Sequence, residues 1–197
     1  MASTRANRNI SQFKSKLIGG GARPNLFEVE LTTLPPNVVS NWDAEVFSFM
    51  AKGASLPAQT IANVDIPFRG RIFKVAGDRT IDTWTITVIN DENFQFRNAF
   101  EEWTQQIANL DDNMGTTNPN SYMVNATVYQ LGRGSEKESK NNGGSANVVL
   151  KEYEFQNIFP TNVSAIDLSY DTGDTIEEFT VEFQVQSLKL TGAGQPN

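Results

Sequence analysis

Two clusters in this 197-residue chain carry residue types able to do chemistry. Asp171-Thr172-Gly173-Asp174, followed by Glu177-Glu178, is rich in oxygen ligands of the kind that hold calcium. The spacing of an EF-hand loop is absent and nothing nearby completes a ligand set, so a tight turn between strands is the expectation. Arg69-Gly70-Arg71, with Lys74 and Arg79, is a compact basic patch. It suits phosphate, and equally suits carboxylates on a neighbouring subunit. Glu101 and Glu102 are adjacent acids that read as the solvated face of a helix rather than as an acid/base pair. Gly19-Gly20-Gly21 has no strand before it and no Lys-Ser/Thr after it, so it reads as a hinge and not as a phosphate cradle.

The residues that are missing narrow the chemistry further. The chain has no Cys and no His. That removes disulfides, zinc knuckles, iron–sulfur centres, thiol nucleophiles, Ser-His-Asp triads and the usual general base. No catalytic residues, metal ligands or cofactor-binding residues are therefore expected. Sixteen Lys/Arg against 23 Asp/Glu give a formal charge of −7, which argues against tight nucleic-acid binding. The charge is uneven: residues 1–97 are net +2 and residues 98–197 net −9. The first 24 residues hold Arg5, Arg8, Lys14, Lys16 and Arg23 and no acid, and read as a solvated or partner-binding arm. No apolar run approaches the roughly 18 residues of a membrane span, so no membrane anchor is expected.

The elements that position these groups are mostly strands. Ile10, Phe13 and Leu17 predict a short amphipathic helix in the arm. Leu26–Leu31 reads as a strand stopped by Pro35-Pro36, and Val46–Met50 as a second apolar stretch of the β pattern. Residues 61–75 read as two short strands around Pro67 and Gly70. Asp82–Ile89 alternates strictly, with Trp84, Ile86 and Val88 on one face and Thr83, Thr85 and Thr87 on the other. Phe96, Ala99, Phe100, Trp103, Ile107 and Leu110 recur at three and four, which predicts one helix at about 92–109, capped by Asn90 or Asp91. Tyr122–Leu131, residues 148–159 paired with 163–169 around Pro160, and residues 176–190 complete the strands. Gly/Ser/Lys-rich residues 132–147 are expected to be a mobile loop. The expected organisation is an arm (1–24), one β domain (25–190) and a tail (191–197). The fold class is mainly β: an antiparallel β-barrel, or two packed sheets, with one flanking α-helix.

Four stretches, in order, resemble the tail tube proteins of contractile-tailed bacteriophages. They are Arg23-Pro24-Asn25-Leu26-Phe27-Glu28-Val29; Pro67–Arg71 through Ala76–Arg79; Asp82–Asp91 with Phe94 and Phe100-Glu101-Glu102-Trp103; and Phe159-Pro160 through Asp174–Val181. The resemblance implies hexameric rings of this chain, stacked head-to-tail into a hollow tube inside a contractile sheath. It implies as partners the sheath protein, the baseplate tube initiator, the tape measure protein, the tail terminator and double-stranded DNA in passage. It implies location in the virion after assembly in the host cytoplasm. Arg69, Arg71, Lys74, Arg79, Asp171, Asp174, Glu177 and Glu178 become candidates for contacts between subunits or rings, with complementary charge on opposite faces. Thr180, Glu182, Gln184 and Gln186 become candidates for the lumen wall, since carboxylates there would repel passing phosphate. A baseplate initiator ring and the tube of a contractile injection machine are alternatives within the same class. A carboxylate-based glycan hydrolase, or a carbohydrate-binding sandwich displaying Trp42 or Tyr122, are alternatives from other classes.

Overall fold

The computed structural model describes residues 9–17, 21–38, 41–112, 114–133, 147–171 and 173–192. Most of the loop expected at 132–147 lies outside the described residues, and Gly132-Arg133 and Asn147 belong to the strands on either side. Gly19, Gly20 and most of the expected tail also lie outside them.

The strands are β1 (Phe27–Glu30), β2 (Ala51–Ser55), β3 (Gln59–Phe68), β4 (Arg71–Ile81), β5 (Trp84–Ile89), β6 (Val124–Arg133), β7 (Asn147–Val163), β8 (Glu178–Gln184) and β9 (Ser187–Gly192). The helices are α1 (Ile10–Lys16), α2 (Ala44–Met50) and α3 (Gln95–Ile107). Every pairing is antiparallel. Seven strands form one sheet, ordered β1-β6-β7-β8-β5-β2 with β9 also on β7, and β3-β4 stand apart as a two-stranded ribbon.

The seven-stranded sheet folds over on itself at β7. Up to Ile158 this strand pairs with β6 and β9, making sheet I; from Phe159 it pairs with β8, making sheet II with β5 and β2. The bend sits at a register shift where Asn157 adopts φ 55° and its N–H donates to Asn125 Oδ1 at 3.0 Å. Asn tolerates the left-handed region better than most residues, and the extra residue of a bulge turns the strand. Pro160 lies inside β7, not between two strands as the sequence suggested. At that point β7 has only β8 as a neighbour and the register shifts again, so the missing N–H breaks no ladder. Residues 164–169, expected to be paired, are not strand. The final expected strand likewise divides at Val185-Gln186, because β8 belongs to sheet II and β9 to sheet I.

The inward faces meet in an aromatic core. Trp84 of sheet II stacks on Phe155 of sheet I with centroids 4.6 Å apart, and Trp103 and Phe100 of α3 lie 5.8 and 5.9 Å from Phe183. The buried α3 stripe is Phe96, Ala99, Phe100 and Trp103. Leu110, past the helix end, is exposed. Burial of each large side chain here contributes roughly 1.5–3 kcal/mol.

Residues 44–50 form a helix where an apolar β stretch was expected. Asp43 caps it, accepting from Glu45 N and Val46 N, and Phe47 enters the core against Trp42 and Phe96. A good cap and one buried aromatic outweigh the β preference of a Val-Phe-Ser-Phe run. Among the described residues no ladder joins β1 to β2, and α2 packs against both. The architecture is two packed sheets with a helix at the open seam, not a barrel closed by hydrogen bonds.

Candidate assembly surfaces

The ribbon β3–β4 is the largest departure from a self-contained domain. It continues the β2–β5 ladder outward, with Asp82 N donating to Ala58 O at 3.0 Å across the joint. Every residue of β3 is exposed, and in β4 only Gly77 and Ile81 are partly covered. Cross-strand partners Val64/Val75 and Ile66/Phe73 share a face with Phe68, while Asp65/Lys74 and Asn63/Ala76 share the other. An isolated ribbon is marginal in water, and this one shows an apolar face to solvent.

At its tip Arg69 (φ 45°) and Gly70 (φ 81°) are the central residues of a two-residue turn closed by Phe68 and Arg71. Positive φ at both positions is the type I′ pattern, which favours Asn-Gly or Gly-Gly; Arg in the first place is strained. The four cations singled out in the sequence separate here. Lys74 pairs with Asp65 at 3.2 Å and Arg79 hydrogen-bonds Gln59, both along the ribbon. Among the described residues Arg69 and Arg71 form no ion pair, and Arg69 lies over the Phe68 ring at 5.4 Å.

The acidic cluster divides in the same way. Glu178 is held by Lys52, and Glu177 receives Asn90 Nδ2 at 2.7 Å while its carbonyl receives Asn90 N at 2.9 Å. Asn90 is the buried polar side chain of the described core, so it locks this loop rather than capping α3. Gln95 N instead finds Asp91 Oδ1 at 3.2 Å. Asp171 and Asp174 form no ion pair among the described residues, and Thr172 lies outside them. The loop forms an open groove of about 730 Å³ lined by residues 165–170 and 175–178, with Leu168, Tyr170 and Ile176 exposed. No group of three or more His, Cys, Asp or Glu gathers to hold a metal among the described residues.

Both sheets present polar outward faces. On sheet II, Thr85 lies opposite Glu182 and Thr87 opposite Thr180, with Gln184 next along β8; none is a cation. Gln186 lies beyond the end of β8, in the exposed step to β9. On sheet I, the polar Glu152/Glu154/Gln156 face legible along β7 becomes a denser acidic face once register adds Glu28 and Glu30 of β1. Glu28 faces Tyr129, which faces Glu152; Glu30 faces Thr127, which faces Glu154, then Lys189. Tyr129 donates to Glu30 Oε2 at 2.8 Å, and its phenol is pushed up to about 12 by burial, by that bond and by the charges of Glu30 and Glu152. Glu154 is held below the usual carboxylate value by a hydrogen bond from Gln156, partial burial opposing it, with Lys189 helping. The cluster forms only because register brings three strands together, so spacing along one strand does not reveal it.

The remaining sequence candidates have structural duties. Glu101 pairs with Arg97 one helical turn away. Trp42 is packed against Phe47, Phe96 and Phe100 and donates to Leu31 O at 2.9 Å, and Tyr122 lies edge-on to Phe159. Neither is a displayed sugar platform. Among the described residues no carboxylate is buried, as a glycan-cleaving acid would need to be. No helix among the described residues is long and apolar enough to cross a membrane.

Residues 22–190 match the family model described as phage tail tube protein. Over 163 residues the chain is 35% identical to tail tube protein gp19 of Enterobacteria phage T4, an alignment covering 83% of this chain and 88% of that protein. Identity to gp19 of Enterobacteria phage T6 is 34% with the same coverage. Among solved structures the fold is similar to the tube-terminating cap of the anti-feeding prophage, with TM-score 0.58, 17% identity and coverage of 88% of this chain and 92% of that one. It is also similar to a chain of the PVC sheath–tube complex of an extracellular contractile injection system, with TM-score 0.56, 12% identity and coverage of 94% and 99%. At such identities these two likenesses concern the fold, whereas the family model covers residues 22–190, the outlying ribbon included: the chain belongs to the phage tail tube protein family.

Proposed function

We propose that this chain is a structural subunit of a phage tail tube: six copies close a ring, and rings stack head-to-tail into a hollow conduit within a contractile sheath. The observation that carries the reading is the β3–β4 ribbon, whose apolar face has no cover among the described residues and whose β2–β5 base has an open edge among them. Edge strands and an apolar ribbon left open in a monomer are covered when copies repeat around a ring. The subunit acts by shape and charge rather than by catalysis. The sheath protein, a baseplate tube initiator, a tail terminator and the tape measure protein are its partners, and it assembles in the host cytoplasm before entering the virion.

The conduit role gives the acidity a purpose. Double-stranded DNA adheres where cations release its counterions, so a passage needs a wall without them. The outward face of sheet II (Thr180, Glu182 and Gln184 beside Thr85 and Thr87) has that character, its one cation, Lys52 at the β2 edge, being neutralised by Glu178, and it belongs to the sheet that the ribbon extends. We assign it to the lumen. The test is negative-stain microscopy of the purified protein: long hollow tubes of constant bore are expected. A protein that remains monomeric at high concentration would overturn the reading.

A further inference from the structure

We propose that the β3–β4 tip of one copy seats in the groove lined by residues 165–170 and 175–178 of a neighbouring copy, basic turn to acidic loop. The inference rests on the tube-subunit reading and specifies the contact that drives it. An assembly that grows without limit needs two different, mutually complementary patches on each copy, because a single self-complementary patch closes a dimer. The chain displays two such patches. One is Phe68-Arg69-Gly70-Arg71-Ile72-Phe73, apolar and basic, at the end of a ribbon that nothing among the described residues covers. The other is the groove with Leu168, Tyr170 and Ile176 exposed and Asp167, Asp171 and Asp174 in the same loop.

The charges left over on each side match. Lys74 and Arg79 are engaged within the ribbon, leaving Arg69 and Arg71 at its tip. Glu177 and Glu178 are engaged in holding the loop to Asn90 and Lys52. That leaves Asp167, Asp171 and Asp174, which form no ion pair among the described residues. Arg69 adds an independent pointer. It occupies a left-handed position that Asn or Gly would fill without strain, so the strained choice needs a reason beyond the turn. A guanidinium presented to a carboxylate supplies one, since its fork suits bidentate pairing. Groove and tip together also bring apolar side chains of both copies out of water.

The natural absence of Cys makes the test clean. In tubes of an Ile72→Cys/Leu168→Cys double variant, mild oxidation should give a ladder of covalent multimers extending well past the dimer. Either single variant can give dimers at most. Arg69→Glu/Arg71→Glu should raise the concentration needed for assembly at least tenfold, with unchanged circular dichroism of the dissociated subunit. Adding Asp171→Arg/Asp174→Arg should restore assembly. Wild-type tubes whose double-cysteine counterpart yields no ladder would overturn this contact and leave the tube reading standing. So would an Arg69→Glu/Arg71→Glu variant that assembles at the wild-type concentration. Absence of tubes from the wild-type protein would remove the tube reading itself.

Discussion

Replacing Ile66 and Phe73 together by Ser separates the cost of folding from the cost of assembly. These residues face each other across the ribbon, and in the free subunit they are 46% and 64% exposed. Surface substitutions of this kind change subunit stability by no more than about 0.5 kcal/mol each. Full burial of Ile or Phe contributes about 1.5–3 kcal/mol, of which roughly half to two thirds is still unrealised here. The pair therefore withholds about 1.7–3.3 kcal/mol that appears only when a neighbour covers the ribbon. At 1.4 kcal/mol per decade, the double variant should raise the critical concentration for tubes roughly 15- to 200-fold. Sedimentation of tubes over a concentration series measures that shift, and thermal unfolding of the dissociated subunit provides the control. A variant that assembles normally, or whose subunit melts well below wild type, would show that the ribbon is not a surface reserved for a partner.

Other consequences can be measured directly. Thr180→Lys/Gln184→Lys should give tubes that retain nuclease-protected double-stranded DNA, with retention falling steeply as salt rises, whereas Glu28→Lys/Glu152→Lys should give none that is protected; protection in the second variant alone would move the lumen to sheet I. Because the Tyr129 phenol is raised from 10.0 to about 12, its contribution to folding is complete below pH 10 and is lost as pH rises through about 12. The stability advantage of wild type over Tyr129→Phe should shrink across that window, and an advantage constant to pH 12 would refute the coupling to Glu30. Asn157→Ala should cost about 1–2 kcal/mol in urea unfolding of the subunit while Asn157→Gly costs little, since the bend in β7 needs positive φ. Equal losses for the two would mean that the bend does not depend on that conformation.

The elements most easily read along the chain were those whose periodicity reports one-sided burial. Trp84, Ile86 and Val88 against Thr85 and Thr87, and the Phe96–Trp103 stripe, are found as their spacing requires. Elements were misread where a local preference and a tertiary contact disagree. Val46–Met50 prefers strand, yet Asp43 caps it and Phe47 anchors it as helix. Pro160 looks like a terminator, yet it falls where β7 has a single neighbour.

The functional surfaces followed the same division. Residue types alone excluded thiol, imidazole and disulfide chemistry, and they marked both the basic turn and the acidic loop, because charge and turn chemistry are local properties. Which of those charges remain available was decided by folding, which pairs Lys74 with Asp65 and Glu178 with Lys52 and leaves Arg69, Arg71, Asp171 and Asp174 outside any described ion pair. The Glu28–Tyr129–Glu152 row and the exposure of the ribbon's apolar face also belong to tertiary structure. A side chain's neighbours across a sheet are set by register between distant strands, and its exposure by what else packs there, and neither quantity is carried by spacing within one segment.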